Sequence, residues 1–219
     1  TPNIYTRTAA ILVKDNSKSS SSTSAMNDFS DLGIFKSNTN INNELLTLKS
    51  PTLMTEVVNR LGLNETFTIR KGLKNVDLYK VSPVTITFCD KIEVPLSFTI
   101  KFSSKEAFAI SELEISGEDI GETLSAQMGD SIQTSAGIMI VSPTQEFTDV
   151  FIGTSIRYVR GSVRAAVDTY SNALVAELGN EDATIINLSI NDTSIRKAES
   201  SARATQDCTG SATTPTTIT

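Results

Sequence analysis

The side chains of this sequence that could carry chemistry are mostly carboxylates, and their richest stretch lies between residues 112 and 130. Paired carboxylates can act as general acid and base in glycoside hydrolysis, and clustered ones can hold a calcium ion. No Asp-x-Asp-x-Asp-Gly loop occurs there, and Glu112 and Glu114 alternate with Leu113 and Ile115. Such alternation is typical of a strand with one wet face, so we predict a solvated strand edge. A cation site and a hydrolase that uses a carboxylate pair are the alternatives.

The composition excludes most other catalytic and cofactor sites. None of the 219 residues is histidine or tryptophan, which removes Ser-His-Asp triads, Cys-His pairs, histidine metal sites and the strongest sugar-stacking platform. The sequence also lacks the glycine motifs of nucleotide-binding loops and nucleophile elbows, and it has no Cys-x-x-Cys. Of the two cysteines, Cys89 lies in a strand-like run, and we expect it to be a buried free thiol. We predict no catalytic residue, no metal and no cofactor.

The charge balance bears on the partners of the chain. The formal net charge is −6, and the basic residues are scattered along the sequence. Nucleic acids and anionic membrane surfaces both need concentrated lysine and arginine, so the sequence argues against either as a partner. The longest uninterrupted apolar run, residues 136–141, is far too short to span a bilayer. Because the sequence begins abruptly at Thr1, we expect it to be a domain of a longer protein.

The element around which the chain is organised is a helical region over residues 41–63. Apolar residues recur there at helical spacing, which indicates an amphipathic helix with one buried face. Ser50 is a suitable N-cap, Pro51 fits the first helical position, and Gly62 suits a left-handed C-terminal cap. Because a proline inside a helix costs about 3 kcal/mol, we predict two helices, or one helix with a kink near Ser50.

Alternating apolar residues predict a series of strands after this helix. The strand that precedes it, residues 4–14, contains a continuous apolar run that suggests burial on both faces, and residues 16–27 read as a flexible serine-rich loop. Asp90 and Lys91 form the natural turn between the strands that flank them. The other predicted strands lie at residues 67–70, 78–88, 96–102, 108–115, 137–141, 155–159, 174–178 and 184–190, with helices at 163–173 and from 194.

These elements predict an α+β fold with a mixed, mainly antiparallel sheet and helices packed on one side. Asn187 lies in one of the predicted buried strands, so its Asn-x-Ser sequon is not read as glycosylated. From residue 200 onward no apolar period is visible and small polar residues dominate. We therefore expect a domain over residues 1–199, followed by a non-native-looking or disordered tail over 200–219.

Several segments, in this order, resemble a known family. They are IYTRTAAILVKD, INNELLTLKS with TLMTEVVNRLGL, DLYKVSPVTITF, SVRAAVDTYSNALVAEL and ATIINLSINDTSIRKAE. The pair Asn43-Glu44, followed by Leu48-Lys49-Ser50, is similar to an Asn-Glu…Leu-Lys-Ser signature. Together these segments resemble the periplasmic Wzz domain of polysaccharide co-polymerases, of the type fused to a bacterial tyrosine autokinase.

The resemblance implies a non-catalytic periplasmic domain of an inner-membrane protein. Such domains assemble into homo-oligomeric rings and work with the polymerase and export machinery to regulate the chain length or export of capsular or exopolysaccharide. Asn43 and Glu44 are expected on exposed faces where subunits meet, a guess from their polarity. The kinase residues, both membrane helices and the long helical arm of the family are absent from this sequence. An extracellular β-rich carbohydrate-binding or adhesive domain is the alternative, supported by the alternating strands.

Overall fold

The computed structural model describes residues 5–12, 43, 45–90, 92, 94–179, 185–192 and 194–208. The chain forms two compact units: residues 1–61 with 167–219, and residues 62–166. About 48% of the residues are in strands and 25% in helices, and the sheets are mainly antiparallel, so the predicted α+β class is confirmed. The predicted serine-rich loop over residues 16–27 lies outside the described residues.

The elements follow one another mainly as strands and tight turns. In chain order they are β1 (Tyr5–Leu12), α1 (Pro51–Leu61), β2 (Glu65–Lys71), β3 (Lys74–Asp77), β4 (Val84–Phe88), β5 (Leu96–Phe102), β6 (Ala107–Ile115), β7 (Glu118–Asp119), β8 (Leu124–Gln127), β9 (Ser131–Thr134), β10 (Gly137–Pro143), a 3₁₀ turn (Asp149–Phe151), β11 (Ser155–Arg160), α2 (Val163–Ala173), β12 (Leu174–Leu178), β13 (Ile185–Asp192) and α3 (Ile195–Cys208).

The first unit contains a three-stranded antiparallel sheet in the order β1-β13-β12. The central strand alternates strictly: Ile186, Leu188 and Ile190 are fully buried, and the residues between them are more exposed. Helix α3 packs against β1 and β13, and α1 packs against α3. The helices of this unit therefore cover the apolar face of the sheet, and their burial provides most of its hydrophobic stabilisation.

The helical region of the first unit is broken where the sequence predicts. Residues 45–48 are helical, Lys49 is a turn, and α1 begins at Pro51. The Leu53 backbone N–H donates to Ser50 Oγ at 3.2 Å, which makes Ser50 the N-cap. Gly62 has φ +61°, the left-handed conformation that a helix C-terminal cap requires. The predicted break, N-cap and C-cap are thus confirmed.

The second unit is a β-sandwich. One sheet has seven strands in the order β3-β2-β11-β5-β6-β7, with β8 also paired to β6, and the other has three in the order β4-β10-β9. Strand β5 supplies four side chains to the core, and Phe98, Ile100 and Phe102 are completely buried. Met139 and Val141 from β10 belong to the same apolar cluster. This core lies between the two sheets, as expected for packed antiparallel layers.

Three expectations, about a strand boundary, strand pairing and burial, are wrong. The strand predicted from residue 78 begins only at Val84, directly after Pro83. Asp90 does not close a hairpin, because β4 pairs with β10, while β5 pairs with β11 and β6; Lys91 lies outside the described residues. The β1 run expected to be buried on both faces has one exposed face, and its Leu12 is 39% exposed.

The expected burial of Cys89 is also wrong, and the last helix extends past residue 199, where the end of the domain was expected. Cys89 is an exposed free thiol, since it continues the wet face of β4 past the strand end. Helix α3 runs to residue 208, and Ser201, Ala202 and Thr205 on it are buried. The sequence missed this extension because the buried face of α3 consists of small and polar residues, which give no apolar period.

Candidate functional site

The structure describes one of the two predicted subunit-contact residues. Asn43 is helical and exposed, and its backbone carbonyl accepts a hydrogen bond from Thr47 Oγ1 at 2.9 Å. Glu44 lies outside the described residues. The exposure of Asn43 agrees with its predicted position on an outer face, and a role in subunit contact stays a prediction.

The carboxylates of β6 gather around one arginine on the exposed face of the seven-stranded sheet. Arg157 on β11 lies 3.1 Å from Glu114 Oε2 and 3.6 Å from Glu112 Oε2. The Ser97 hydroxyl donates to Glu114 at 2.8 Å and accepts from Arg157 Nη2 at 3.0 Å, and the Thr99 hydroxyl donates to Glu112 at 2.7 Å. We call these five residues the Arg157 cluster.

A β-bulge lies next to the two carboxylates, which are two residues apart on β6 and therefore on the same side of the sheet. The pairing of β5 with β6 passes from Ser97–Glu114 to Thr99–Ser111, so two residues of β6 lie opposite one residue of β5. Glu112, at the bulge, has φ +54°, a left-handed conformation. The sequence predicted a wet face for both glutamates, but the bulge and the distant Arg157 required knowledge of the strand pairing.

The Arg157 cluster is held together by contacts within the chain. Oε2 of each glutamate accepts a hydroxyl hydrogen bond and lies within 3.6 Å of the arginine, and two carboxylates beside one guanidinium leave a formal charge of −1. Among the described residues no group of three or more histidine, cysteine, aspartate or glutamate side chains could hold a metal ion. The geometry of this face is that of a stabilising ion network on a strand surface.

A second polar group lies at the start of β2 and the end of β11. Tyr158 is fully buried between Phe67 and Phe98, with ring centroids 4.9 and 5.0 Å away. Burial raises the pKa of the Tyr158 hydroxyl, and the negative charge of Glu65 raises it further. Arg160 lies 3.6 Å from the Glu65 carboxylate.

The environment of Glu65 favours its neutral form. Burial raises the pKa of the Glu65 carboxyl, and the Arg160 guanidinium opposes this shift more weakly. Arg160 also lies 5.0 Å from the centroid of the Phe88 ring, a cation–π distance. The two side chains are partly buried at the rim of the sandwich core, and this arrangement supplies no nucleophile.

The outer face of the three-stranded sheet carries exposed side chains from all three strands. Opposite the buried face, Thr8 pairs with Ser189 and Ala10 with Asn187. With the neighbouring residues of β12, these side chains line a shallow depression of about 400 Å³. We call this surface the open sheet face; its lining residues are Thr8, Ala9, Ala10, Val175, Glu177, Asn187, Leu188 and Ser189.

The open sheet face carries little charge. Glu177 is its single ionisable lining residue, although charged residues make up 20% of the chain. At one end, Leu12 lies directly opposite Ile185, and the two are 39% and 41% exposed. Loss of charged side chains distinguishes the cores of protein–protein contacts from ordinary surface. The low charge of the face is a property that it shares with such contact cores.

Sequence reasoning missed the open sheet face. Asn187 was expected inside a buried strand, but it is exposed, because β13 buries only every second side chain. The alternation in Ile186-Asn187-Leu188-Ser189-Ile190 could have revealed this one-sided burial. Arg157 and Arg160 could not be identified from the sequence, because the carboxylates that each contacts lie on other strands.

Comparison with known proteins adds no relative to this picture. No family model matches the chain, and no protein of curated function matches it significantly. Among the described residues no helix is both long and apolar enough to cross a bilayer.

Proposed function

We propose that this chain is a non-catalytic assembly domain, the periplasmic part of an inner-membrane polysaccharide co-polymerase of the kind fused to a tyrosine autokinase. Its role is to form homo-oligomers that regulate the chain length or export of capsular or exopolysaccharide. The family resemblance of the ordered motifs supports this assignment. The observation that carries the assembly role is the open sheet face, which a second copy of the chain would cover.

The physical argument rests on the two faces of one sheet. The face under α3 buries Ile11, Ile186, Leu188 and Ile190, while the opposite face exposes Val175 and Leu12 beside small hydroxyl and amide side chains. Covering such a surface removes apolar area from water without burying unpaired charges, apart from Glu177, which can remain at the rim. Threonine, serine and asparagine side chains can donate and accept hydrogen bonds across the contact.

Sedimentation velocity over a wide concentration range tests the proposal. We expect reversible homo-oligomers of the wild-type chain at high concentration. Thr8→Arg and Ser189→Arg should each raise the dissociation constant of the homo-oligomer more than about 100-fold, because each buries an unpaired charge in the contact. Thr85→Arg is the matched control, since Thr85 is an exposed strand threonine of the other unit. The assembly role fails if the wild type stays monomeric throughout, or if all three variants associate like the wild type.

The β-sandwich of residues 62–166 favours a second candidate function, an extracellular carbohydrate-binding or adhesive domain. Two packed antiparallel sheets present many loops at their ends, where binding residues commonly lie. The absence of tryptophan from the sequence weakens this alternative. A glycan array separates the two: selective glycan binding that survives Thr8→Arg would favour the second function, and no glycan binding would favour the first.

A further inference from the structure

The β2–β3 hairpin ends in a tight and fully exposed tip. Lys71 pairs with Lys74, so only Gly72 and Leu73 form the loop. Gly72 has φ +62° and Leu73 is not among the residues of positive φ, as in a two-residue turn with glycine in its first position. The Leu73 side chain is 97% exposed. The turn therefore holds an apolar side chain in water at the outermost point of the hairpin.

Three cations surround this leucine. Arg70, Lys71 and Lys74 are all exposed, and no acidic residue occurs between residues 66 and 76. Lys71 and Lys74 are directly opposite each other, an arrangement that is destabilising for like charges. No ion pair joins any of the three to a carboxylate in the part of the chain that the structure describes. Arg70 Nε donates to the Gly72 carbonyl at 3.2 Å, which draws the guanidinium toward the tip.

We propose that this tip, residues 70–74, docks on the surface of an anionic phospholipid bilayer. The cations would lie among the lipid phosphates, and Leu73 would enter the boundary of the acyl chains. The net charge of −6 argued against such a partner, but that total conceals a local charge of three positive side chains in five residues. The attraction between a cation and an anionic membrane falls off within about 10 Å. The charge of the tip, and not the net charge of the chain, therefore determines whether the tip binds.

Leu73 favours a bilayer over a soluble anion or an acidic polymer. Phosphate or an anionic polysaccharide would engage the three cations and leave the leucine in water. A bilayer satisfies both features, because its surface is negative and its interior is apolar. With three cations and one leucine, the binding should be weak, reversible and sensitive to salt. The inference is independent of the proposed oligomerisation, since it concerns a different surface and a different readout.

Co-sedimentation with vesicles tests the role of each side chain. We expect binding to phosphatidylglycerol–phosphatidylcholine vesicles at low salt and none to pure phosphatidylcholine. Lys71→Gln and Lys74→Gln should each weaken binding about fivefold, and Leu73→Ser about tenfold. Two exposed positions away from the tip provide matched controls, Lys101→Gln and Val150→Ser; Val150 is 82% exposed. Both controls should bind like the wild type.

Because the chain lacks tryptophan, a single introduced indole reports on insertion. The fluorescence of Leu73→Trp should shift to the blue and be quenched by brominated lipid when anionic vesicles are added, while Val150→Trp should not respond. The proposal is overturned if the wild type ignores anionic vesicles, or if Val150→Trp responds as strongly as Leu73→Trp. It is also overturned if the lysine variants lose binding while Leu73→Ser keeps it, which would point to an anion without an apolar phase.

Discussion

At the scale of single residues, Arg157 is the centre of the ion network on the seven-stranded sheet. Arg157→Ala leaves the carboxylates of Glu112 and Glu114 facing each other without a cation. The side chains are between 38% and 66% exposed, so solvent screening keeps the effect small. We expect the free energy of unfolding to fall by about 1 kcal/mol in urea denaturation.

The salt dependence of this loss identifies its origin. In molar salt the difference between Arg157→Ala and the wild type should shrink, because exposed charges are screened. Arg164→Ala, which removes an exposed arginine from α2, should change the stability by less than about 0.5 kcal/mol. Equal losses for the two variants, or a loss that is insensitive to salt, would contradict this description of the cluster.

Glu65 is the residue from which we expect a distinct pH dependence. Burial raises the pKa of its carboxyl in the folded chain above the ordinary value of 4.5. The folded state therefore binds this proton more tightly than the unfolded state does. The resulting stability is present below that ordinary value and is lost as the pH rises through the raised pKa.

Glu65→Gln should remove this loss of stability at rising pH. Relative to the wild type, the variant should gain stability as the pH rises from about 4 to 7, measured by urea unfolding at a series of pH values. Glu56→Gln, which removes an exposed carboxylate from α1, is the matched control. A constant offset between Glu65→Gln and the wild type over this pH range would contradict the assigned role of burial.

At the scale of elements, α3 shows how a helix without large apolar residues can still be part of a core. Ala198 and Ala202 are almost completely buried. Such small side chains leave no room for additional methylene groups, so Ala202→Leu should cost about 1–3 kcal/mol through overpacking. Arg203→Leu, at the next and more exposed position, should stay within about 0.5 kcal/mol. Thermal and urea unfolding measure both variants, and equal stabilities would mean that α3 is not packed at residue 202.

At this scale it is also clear which features could be predicted from the sequence and which could not. Ser50, Pro51 and Gly62 determine a helix boundary through interactions with residues near them in sequence, and the predicted boundary is confirmed. The alternation of β5 likewise predicted its buried face. The exposure of Cys89 follows from the alternation of Thr85, Thr87 and Cys89 on the wet face of β4, so the local pattern contained it. The pairing of β4 with β10 was not predicted. Strand partners are set by distant residues, and a local pattern does not contain them.

At the scale of the whole molecule, the chain joins two kinds of architecture. The first unit packs helices on one face of a small sheet, and the second, residues 62–166, is a β-sandwich placed between its two halves in sequence. The sequence predicted the mixture of helices and strands but not this nested order, because pairing of β1 with β13 joins segments about 180 residues apart. The same pairing creates the open sheet face.

Hydroxyl-radical footprinting of the wild-type chain tests the central claim most directly, because it reports solvent access at individual aliphatic side chains. As the protein concentration rises, Leu12, Val175 and Ile185 of the open sheet face should become protected together. Val150 and Leu73, which are more exposed, should be labelled equally at all concentrations. Equal labelling of the open sheet face at every concentration, or protection confined to Val150 or Leu73, would contradict the proposal that a second copy covers this face.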